Sequence, residues 1–333
     1  MIQFNIEKMK NTILTAFTIL FLIACNNDSS KNKRILSASS GNINNLTVVI
    51  DNELWEGSIG EQIRSILGAS VYGLPQEEPL FKMQQMPTLV FSGFATKSRI
   101  VLKIEKGKPA NIKFLKNAFA KPQKLILVTG NTNTEINEQL IQNAEKIVAV
   151  FKNQEIKEKQ RRINISLNKN NNIKKVLGLT INFPSVYRVA KEDKSFFWLR
   201  KDIKTGTMNI LLYEMPLGSI SEGDAAINDI IKMRDSIGKV HIPGPLDGSY
   251  MITEEAYTPY LNKTILDNKP VLLTKSTWEI KNAFMAGPFI NYIIEDKTNK
   301  RLVVIEGFTF APSVAKRDHM FELEAIIRSL QIK

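Results

Sequence analysis

Residues 289–310, FINYIIEDKTNKRLVVIEGFTF, contain two strand-like runs on either side of a polar turn. Phe289 to Ile294 and Leu302 to Phe310 are rich in β-branched and aromatic residues, which favour strands. Asp296 to Asn299 supplies the turn residues between them. Because two strands joined by a short turn pair in opposite directions, the stretch predicts an antiparallel hairpin near the C-terminus.

More strands precede this hairpin, and helical patterns separate them into blocks. A helix is predicted from Ser221 to Gly238, and a second from about Ser313 to Leu330 closes the chain. Strands in blocks with helices between them are typical of an α+β fold rather than a doubly wound parallel sheet. In its order of elements this half of the chain resembles the PsbP-like α/β sandwich.

The first half of the chain shows the same mixture. Leu46 to Ile50 reads as a strand, and apolar residues from Ile136 to Phe151 recur at helical spacing. Strand-like runs lie between them, at 89–91, 100–104 and 124–129. Five polar residues at 168–172 interrupt the pattern. We therefore expect two α+β halves with mainly antiparallel sheets, covering residues 46–168 and 173–333.

The N-terminus has the pattern of an export signal. Lys8 and Lys10 precede an apolar run from Ile13 to Ala24, which is too short to span a bilayer as a helix. The run ends in Leu22-Ile23-Ala24-Cys25, which resembles the lipobox of bacterial lipoproteins. Residues 1–24 are thus predicted to be a signal peptide that is cleaved between Ala24 and Cys25, with lipid attached to Cys25.

Residues 25–45 are rich in Asn, Ser and Lys, a composition typical of a flexible tether. A lipid on Cys25 would place the folded part of the chain close to a membrane surface. We expect a cell-envelope protein on the outer membrane, facing the periplasm.

The formal net charge of +12 favours anionic partners such as lipid head groups or acidic glycans. An envelope protein is a further candidate partner. The lysines are scattered singly, as at Lys97, Lys103 and Lys113, and A/T-rich codons alone can raise their number. Nucleic acid is not expected as a partner, because the chain is exported and has no basic motif interleaved with aromatic residues.

Motifs for catalysis are missing from the sequence. Cys25 is the one cysteine, so its acylation would leave no thiol for catalysis, disulfides or metal binding. The two histidines, His241 and His319, do not have zinc-binding spacing, and no serine-hydrolase or phosphate-loop motif occurs. We therefore expect no metal and no cofactor, and the sequence favours a non-catalytic role in binding or envelope assembly.

Two alternatives remain open. Glu306 lies in a strand-like run, and if it is buried it needs a partner, for which Arg200 and Arg317 are candidates. A structural ion pair is favoured there, but an envelope hydrolase that uses carboxylates would make Glu306 the first acid to test. A glycan- or lipid-binding module would instead use a groove lined by aromatic residues such as Trp278 beside Lys and Arg.

Several segments together resemble a family of Bacteroidetes lipoproteins, domain of unknown function 4837. The glycine-proline segments are the most specific, and Ala286 stands where the family usually carries a second glycine. The resemblance covers residues from about 40 to the C-terminus and implies an envelope lipoprotein without assigned activity. The residues concerned are Asp51 to Trp55 with Gly60, Leu74 to Phe81, Phe197 to Arg200, Met285 to Phe289, Glu306 to Pro312, and Lys316 to Asp318.

Overall fold

A computed structural model describes residues 35–332 of the chain. The predicted signal peptide, the cleavage site at Ala24 and the acylation site at Cys25 lie outside the described residues. Ala38–Lys333 forms one compact unit, which contains both predicted halves. Residues 38–45, which the sequence assigned to the tether, already belong to this unit. Within residues 35–332, no helix combines the length and the apolar character needed to cross a bilayer.

The described residues contain helices and strands in both halves. The helices are α1 Asn52–Glu56, α2 Ser58–Leu67, α3 Asn133–Gln142, α4 Ala144–Ile163, α5 Asn172–Leu177, α6 Ala225–His241 and α7 Arg317–Ile327. The strands of the first half are β1 Ser37–Ala38, β2 Asn45–Val49, β3 Lys82–Met86, β4 Ile100–Lys106, β5 Asn111–Lys116, β6 Ala120–Lys121 and β7 Lys124–Gly130. The strands of the second half are β8 Leu179–Thr180, β9 Arg188–Asp193, β10 Phe196–Ile203, β11 Gly206–Pro216, β12 Met251–Thr253, β13 Tyr260–Leu266, β14 Lys269–Ile280, β15 Ala283–Asp296, β16 Arg301–Phe310 and β17 Gln331–Ile332. This mixture confirms the α+β class.

The N-terminal half is built on a five-stranded sheet in the order β3-β2-β4-β7-β5. Strands β3, β2, β4 and β7 run parallel, and β5 is antiparallel to β7. The expectation of a mainly antiparallel sheet is therefore wrong for this half. The sequence pattern missed β3, because Lys82–Met86 is a polar edge strand, and predicted a strand at 89–91 where a 3-10 helix lies. Helices α1 and α2 lie in the connection from β2 to β3, and such a crossover allows neighbouring strands to run parallel.

Helix α4 belongs to both halves of the molecule. Its first half contributes Ile147 and Phe151 to the core of the N-terminal sheet. Its second half contributes Ile156 and Ile163 to the core of the C-terminal half. The predicted helix over 136–151 is interrupted at Asn143, and α4 then continues through the charged stretch to Ile163. The shared helix explains why the two halves form one compact unit.

The C-terminal half is built on an eight-stranded antiparallel sheet. Its main path is β12-β14-β15-β16-β11-β10-β9, and β13 pairs with β14. The predicted hairpin is confirmed, because β15 and β16 pair from Phe289 with Phe308 to Asp296 with Arg301. Helix α7 packs on one face and α6 on the other, so this half is an α/β sandwich.

The ends of α6 and α7 differ from the sequence prediction. Helix α6 runs past Gly238, where an added Cβ would lie 2.0 Å from the backbone oxygen of Met251. Gly238 therefore allows the helix to approach β12 closely instead of ending it. Helix α7 begins at Arg317 rather than Ser313, because Ser313 has a φ of 63°, in the left-handed region.

Candidate functional site

Glu306 lies at the centre of the C-terminal sheet, on the face that α6 covers. Its carboxylate accepts hydrogen bonds from Arg234 Nε at 2.7 Å and Arg234 Nη2 at 2.8 Å, and from Asn291 Nδ2 at 2.8 Å. The side chains of Glu306 and Arg234 are each 1% exposed. The partner is thus Arg234, and the predicted partners Arg200 and Arg317 are wrong. Register explains the cluster, because Asn291 and Glu306 are directly opposite in β15 and β16.

The polar cluster around Glu306 extends to α6 and β12. Arg234 Nη1 donates to Thr253 Oγ1, and Asp235 Oδ1 accepts from Thr253 N at 2.7 Å and Thr253 Oγ1 at 2.9 Å. The guanidinium also lies 3.4 Å from the centroid of the Phe289 ring. Arg234 and Glu306 are each held by several partners and are sealed from solvent, so this cluster fixes α6 on the sheet and offers no opening for a substrate.

Trp278 and Arg200 do not join Glu306 in a common site. Trp278 is 2% exposed and packs edge-on against Phe308, with ring centroids 5.5 Å apart. Arg200 lies on β10, where its Nε donates to Asp202 Oδ1 at 3.1 Å. Trp278 is therefore a core residue, and Arg200 takes part in a surface ion pair.

Arg317 lies where the two halves meet. The backbone nitrogens of Lys316 and Arg317 donate to the carboxylate of Glu78 at 2.6 and 2.9 Å. Arg317 Nη1 also donates to the backbone oxygen of Pro79 at 3.1 Å. A carboxylate at the start of a helix satisfies free N–H groups and interacts favourably with the helix dipole. Glu78, from the first half, therefore stabilises the start of α7 in the second half.

A cleft of about 780 Å³ lies beside this contact, and Arg317 is part of its lining. The first half contributes the loop from Val71 to Leu74 and one face of α4. The second half contributes β13, the middle of β14 and β15, and α7. Most of the wall is apolar, with side chains that include Leu74, Val148, Leu266, Leu273, Tyr292, Met320 and Phe321.

Glu324 of α7 is the centre of a charge cluster in the cleft wall. Its carboxylate is 2.7 Å from Lys152 Nζ, 3.8 Å from Arg328 Nη1 and 3.9 Å from Lys275 Nζ. Burial raises the pKa of Glu324, but the charges of Lys152 and Lys275 outweigh that effect and hold the pKa at about 2. One permanent carboxylate thus faces three cations, which leaves this part of the wall positive.

Lys275 is the most enclosed of the three cations. Its side chain is 15% exposed, and its Nζ is too far from Glu324 for a hydrogen bond. Burial lowers the pKa of Lys275, as do the neighbouring charges of Lys152 and Arg328, whereas Glu324 raises it. An anionic group that entered the cleft would therefore find a cation with N–H donors directed at it through a mostly apolar surrounding.

Two tyrosines stack across the junction of the halves, and both line the cleft. The rings of Tyr72 and Tyr260 are 4.8 Å apart and within 3° of parallel. Tyr72 is 68% exposed and Tyr260 is 41% exposed, so the pair lies at the mouth of the cleft. Gly73 beside them has a φ of 81°, and an added Cβ would lie 2.9 Å from Lys275 Cβ. The glycine lets this loop approach β14.

Sequence reasoning missed this site, although one pattern pointed to it. Glu324 lies four residues after Met320, on the side of α7 that its apolar residues predict to be buried. A carboxylate at such a position needs cationic partners. The partners Lys152 and Lys275 lie 172 and 49 residues away in sequence, so their approach depends on the tertiary fold.

A family model matches the second half of the chain. Residues 166–329 match the model of the domain of unknown function DUF4837. The resemblance seen in the sequence is confirmed there. The segments Asp51 to Trp55 and Leu74 to Phe81 lie outside the DUF4837 match, within residues 39–164, which match a second domain of unknown function, DUF8532. The cleft lies where the DUF4837 domain meets this first region.

No curated protein matches the chain. Among solved structures, the Ran-binding protein Mog1p of Saccharomyces cerevisiae is similar over 46% of this chain and 89% of its own, with 8% identity and a TM-score of 0.31. The protein of unknown function PA94 from Pseudomonas aeruginosa is similar over 46% of this chain and 90% of its own, with 14% identity and a TM-score of 0.27.

Proposed function

We propose that the chain is a lipid-anchored protein of the bacterial cell envelope that binds an amphipathic anion in the cleft between its two halves. The ligand class is an acyl chain that ends in an anionic group. The observation behind this proposal is a mostly apolar cleft in which one carboxylate faces three cations.

The size and lining of the cleft support a ligand of this class. Its volume of about 780 Å³ lies within the range of small-molecule sites, which is roughly 300–1,000 Å³. Apolar side chains of α4, β13 and α7 would bury an acyl chain. Lys152, Lys275 and Arg328 would bind its anionic group, because Glu324 balances only one of their three charges.

The state of the two prominent carboxylates supports binding rather than hydrolysis. Glu324 has a pKa of about 2 and so stays ionised at neutral pH, where it cannot donate a proton. Glu306 is 1% exposed and takes three hydrogen bonds from Arg234 and Asn291, which places it out of reach of a substrate. Glu306 thus fixes α6 on the sheet, and Glu324 neutralises one of the cations in the cleft wall.

The anchor in this proposal rests on the sequence of the N-terminus. Leu22 to Cys25 is the pattern for cleavage after Ala24 and acylation of Cys25, and the folded unit begins at Ala38. The proposed location is the outer membrane, with the folded unit facing the periplasm. Mass spectrometry of the N-terminal peptide tests this part: acylated Cys25 at the N-terminus supports it, and an unmodified peptide that begins upstream contradicts it.

A binding titration tests the cleft. The full-length protein is titrated with a fluorescent fatty acid and with the matching fatty alcohol, and saturable binding of the acid at one site is expected. Lys275→Gln should weaken binding of the acid by about tenfold, the value of one charged contact, whereas Lys297→Gln on the surface should not. Equal affinity for acid and alcohol, or an unchanged affinity in Lys275→Gln, would overturn the proposal.

A further inference from the structure

One face of the N-terminal sheet, the helix-free face, carries no α-helix of residues 35–332. The helices pack on the opposite face, where they form its large apolar core. On the helix-free face, neighbouring positions across the five strands are occupied by Met86, Val49, Lys103, Leu127 and Lys113. Its buried apolar centre is small, with Val49, Val101 and Leu125. Two loops, at 87–98 and 117–123, pack on this centre through Phe91 and Phe119.

The loop at 87–98 exposes apolar side chains to an unusual degree. Leu89 is 95% exposed, Phe94 is 75% exposed and Val90 is 57% exposed. The loop is nevertheless ordered, because Phe91 packs edge-on against Phe119 with ring centroids 5.6 Å apart. Large apolar residues held outward by a structured loop indicate a surface that is covered in the functional state.

The loop and the helix-free face carry several lysines, and one carboxylate, that of Asp51, contacts the loop: its Oδ1 accepts a hydrogen bond from Thr88 N at 3.2 Å. Residues 79–104 and 111–129 contain no Asp or Glu. Lys97 Nζ lies 5.7 Å from the centroid of the Phe94 ring, and Lys82, Lys113 and Lys121 are exposed. Glu105, on β4, is paired with Lys103 and Lys108. The surface therefore combines exposed apolar groups with positive charge, the combination that suits an anionic membrane.

The chain enters the folded unit at this loop. Ser40 N donates to the backbone oxygen of Lys97 at 2.9 Å, and Ser39 N donates to that of Lys121 at 3.1 Å. Cys25 precedes Ala38 by 13 residues, so even a fully extended segment reaches only about 45 Å. A lipid on Cys25 would therefore hold this point of entry within about 45 Å of the bilayer.

We propose that the loop at 87–98 and the lysines around it form a membrane-docking surface, which rests on the anionic bilayer that holds the lipid of Cys25. Leu89, Val90 and Phe94 enter the interfacial region, and Lys82, Lys97, Lys113 and Lys121 face the head groups. The choice of a membrane as the occupant of this surface rests on the proposed lipid anchor. Docking would convert a tethered protein into one with a defined orientation at the membrane.

Fluorescence at position 94 tests the docking. Acylation would block Cys25, so Phe94→Cys supplies the free thiol of the full-length chain, and an environment-sensitive fluorophore is attached there. Vesicles of phosphatidylethanolamine and phosphatidylglycerol in a 3:1 ratio (~25% anionic lipid, in the range that attracts basic surfaces) should shift the emission to the blue and raise its intensity. The matched control is Phe284→Cys, at an exposed phenylalanine of the C-terminal half, and its emission should not change.

Further variants separate docking from simple tethering. Leu89→Asp should reduce the shift at position 94 while the thermal unfolding midpoint stays the same, because Leu89 makes little contact with the fold. Vesicles of phosphatidylcholine alone, or 0.5 M salt, should give a smaller shift. No shift, or the same shift at positions 94 and 284, would overturn the proposal and leave a protein partner or a second copy as the occupant.

The docking surface and the lipid anchor can be tested independently. Full-length protein with Cys25→Ser and Phe94→Cys has no acylation site but keeps the loop and its lysines. It should still show the shift at higher lipid concentration, and Leu89→Asp should raise the lipid concentration that is needed by about tenfold or more. If this variant shows the shift and mass spectrometry finds Cys25 unmodified in the native chain, only the lipid anchor is refuted. If this variant shows no shift although Cys25 is acylated in the native chain, the docking surface is refuted.

Discussion

Replacing Glu324 with glutamine tests the electrostatics of the cleft. The carboxylate has an ordinary pKa of 4.5 that falls to about 2 in the folded protein. A group with a lowered folded-state pKa stabilises the fold above its unfolded pKa, and this contribution is lost as the pH falls through the folded-state value. The difference corresponds to about 3 kcal/mol. Glu324 is 9% exposed, so solvent screens its interactions with the three cations only weakly.

The expected result is a pH-dependent loss of stability. Urea unfolding at several pH values should show Glu324→Gln to be less stable than the native sequence by about 3 kcal/mol at pH 7, because three cations lose their shared partner. The difference should shrink as the pH falls below 4.5 and should nearly vanish at about pH 2. Glu295→Gln, at an exposed pair with Lys297, should change stability by less than about 1 kcal/mol at any pH.

Binding should change in the opposite direction. Removal of the Glu324 carboxylate leaves Lys152, Lys275 and Arg328 free to bind the anionic group of a ligand, so the less stable variant should bind the fluorescent fatty acid more tightly. A loss of stability that is the same at pH 7 and at pH 3 would refute the assigned charge cluster. Weaker binding in Glu324→Gln would refute the assigned role of the cations.

Three further predictions concern the stability of the fold. Arg234→Met should destabilise the protein by about 3–5 kcal/mol in urea unfolding, because Glu306 is left buried without its partner. The double variant Arg234→Met with Glu306→Leu should regain most of that loss, and strictly additive effects would contradict the pairing. Glu78→Ala should cost about 1–2 kcal/mol through loss of the cap on α7, with the neighbouring exposed Glu77→Ala as a control that changes little. Gly287→Ala should destabilise by more than about 1 kcal/mol, because its Cβ would lie 2.0 Å from the Thr309 backbone oxygen; a fully stable variant would contradict the geometry.

The sequence predicted those features that depend on neighbours in the chain. The β15–β16 hairpin follows from its turn and from β-branched runs, and the α+β class follows from the order of blocks. The parallel pairing of β2 with β3 was missed, because Lys82–Met86 is a polar edge strand without a strand pattern. Likewise, the interruption of the helix at Asn143 and the contribution of α4 to two cores depend on tertiary packing, which the spacing of apolar residues does not predict.

The candidate site was less predictable than the fold. Glu306 stood out in the sequence as an acid in a strand, but its partner Arg234 lies 72 residues away on a helix. Pairing with Arg234 needs α6 to cross the sheet at that position. The cleft gathers residues from Asn44 to Arg328. Of the sequence candidates Glu306, Arg200, Arg317 and Trp278, Arg317 alone is in its lining. Lys152 and Lys275 are single lysines in a lysine-rich chain, so no sequence pattern marks them as partners of Glu324. The tertiary fold brings them to it.

Photoaffinity mapping tests the central claim most directly. Full-length protein is incubated with a diazirine analogue of palmitate, irradiated and digested, and the labelled peptides are identified by mass spectrometry. Labels are expected on the cleft wall, in the peptides that contain Val148, Leu273 and Met320, and excess palmitate should remove them. Labels spread over the surface, or confined to the loop at 87–98, would show that the cleft does not bind an amphipathic anion.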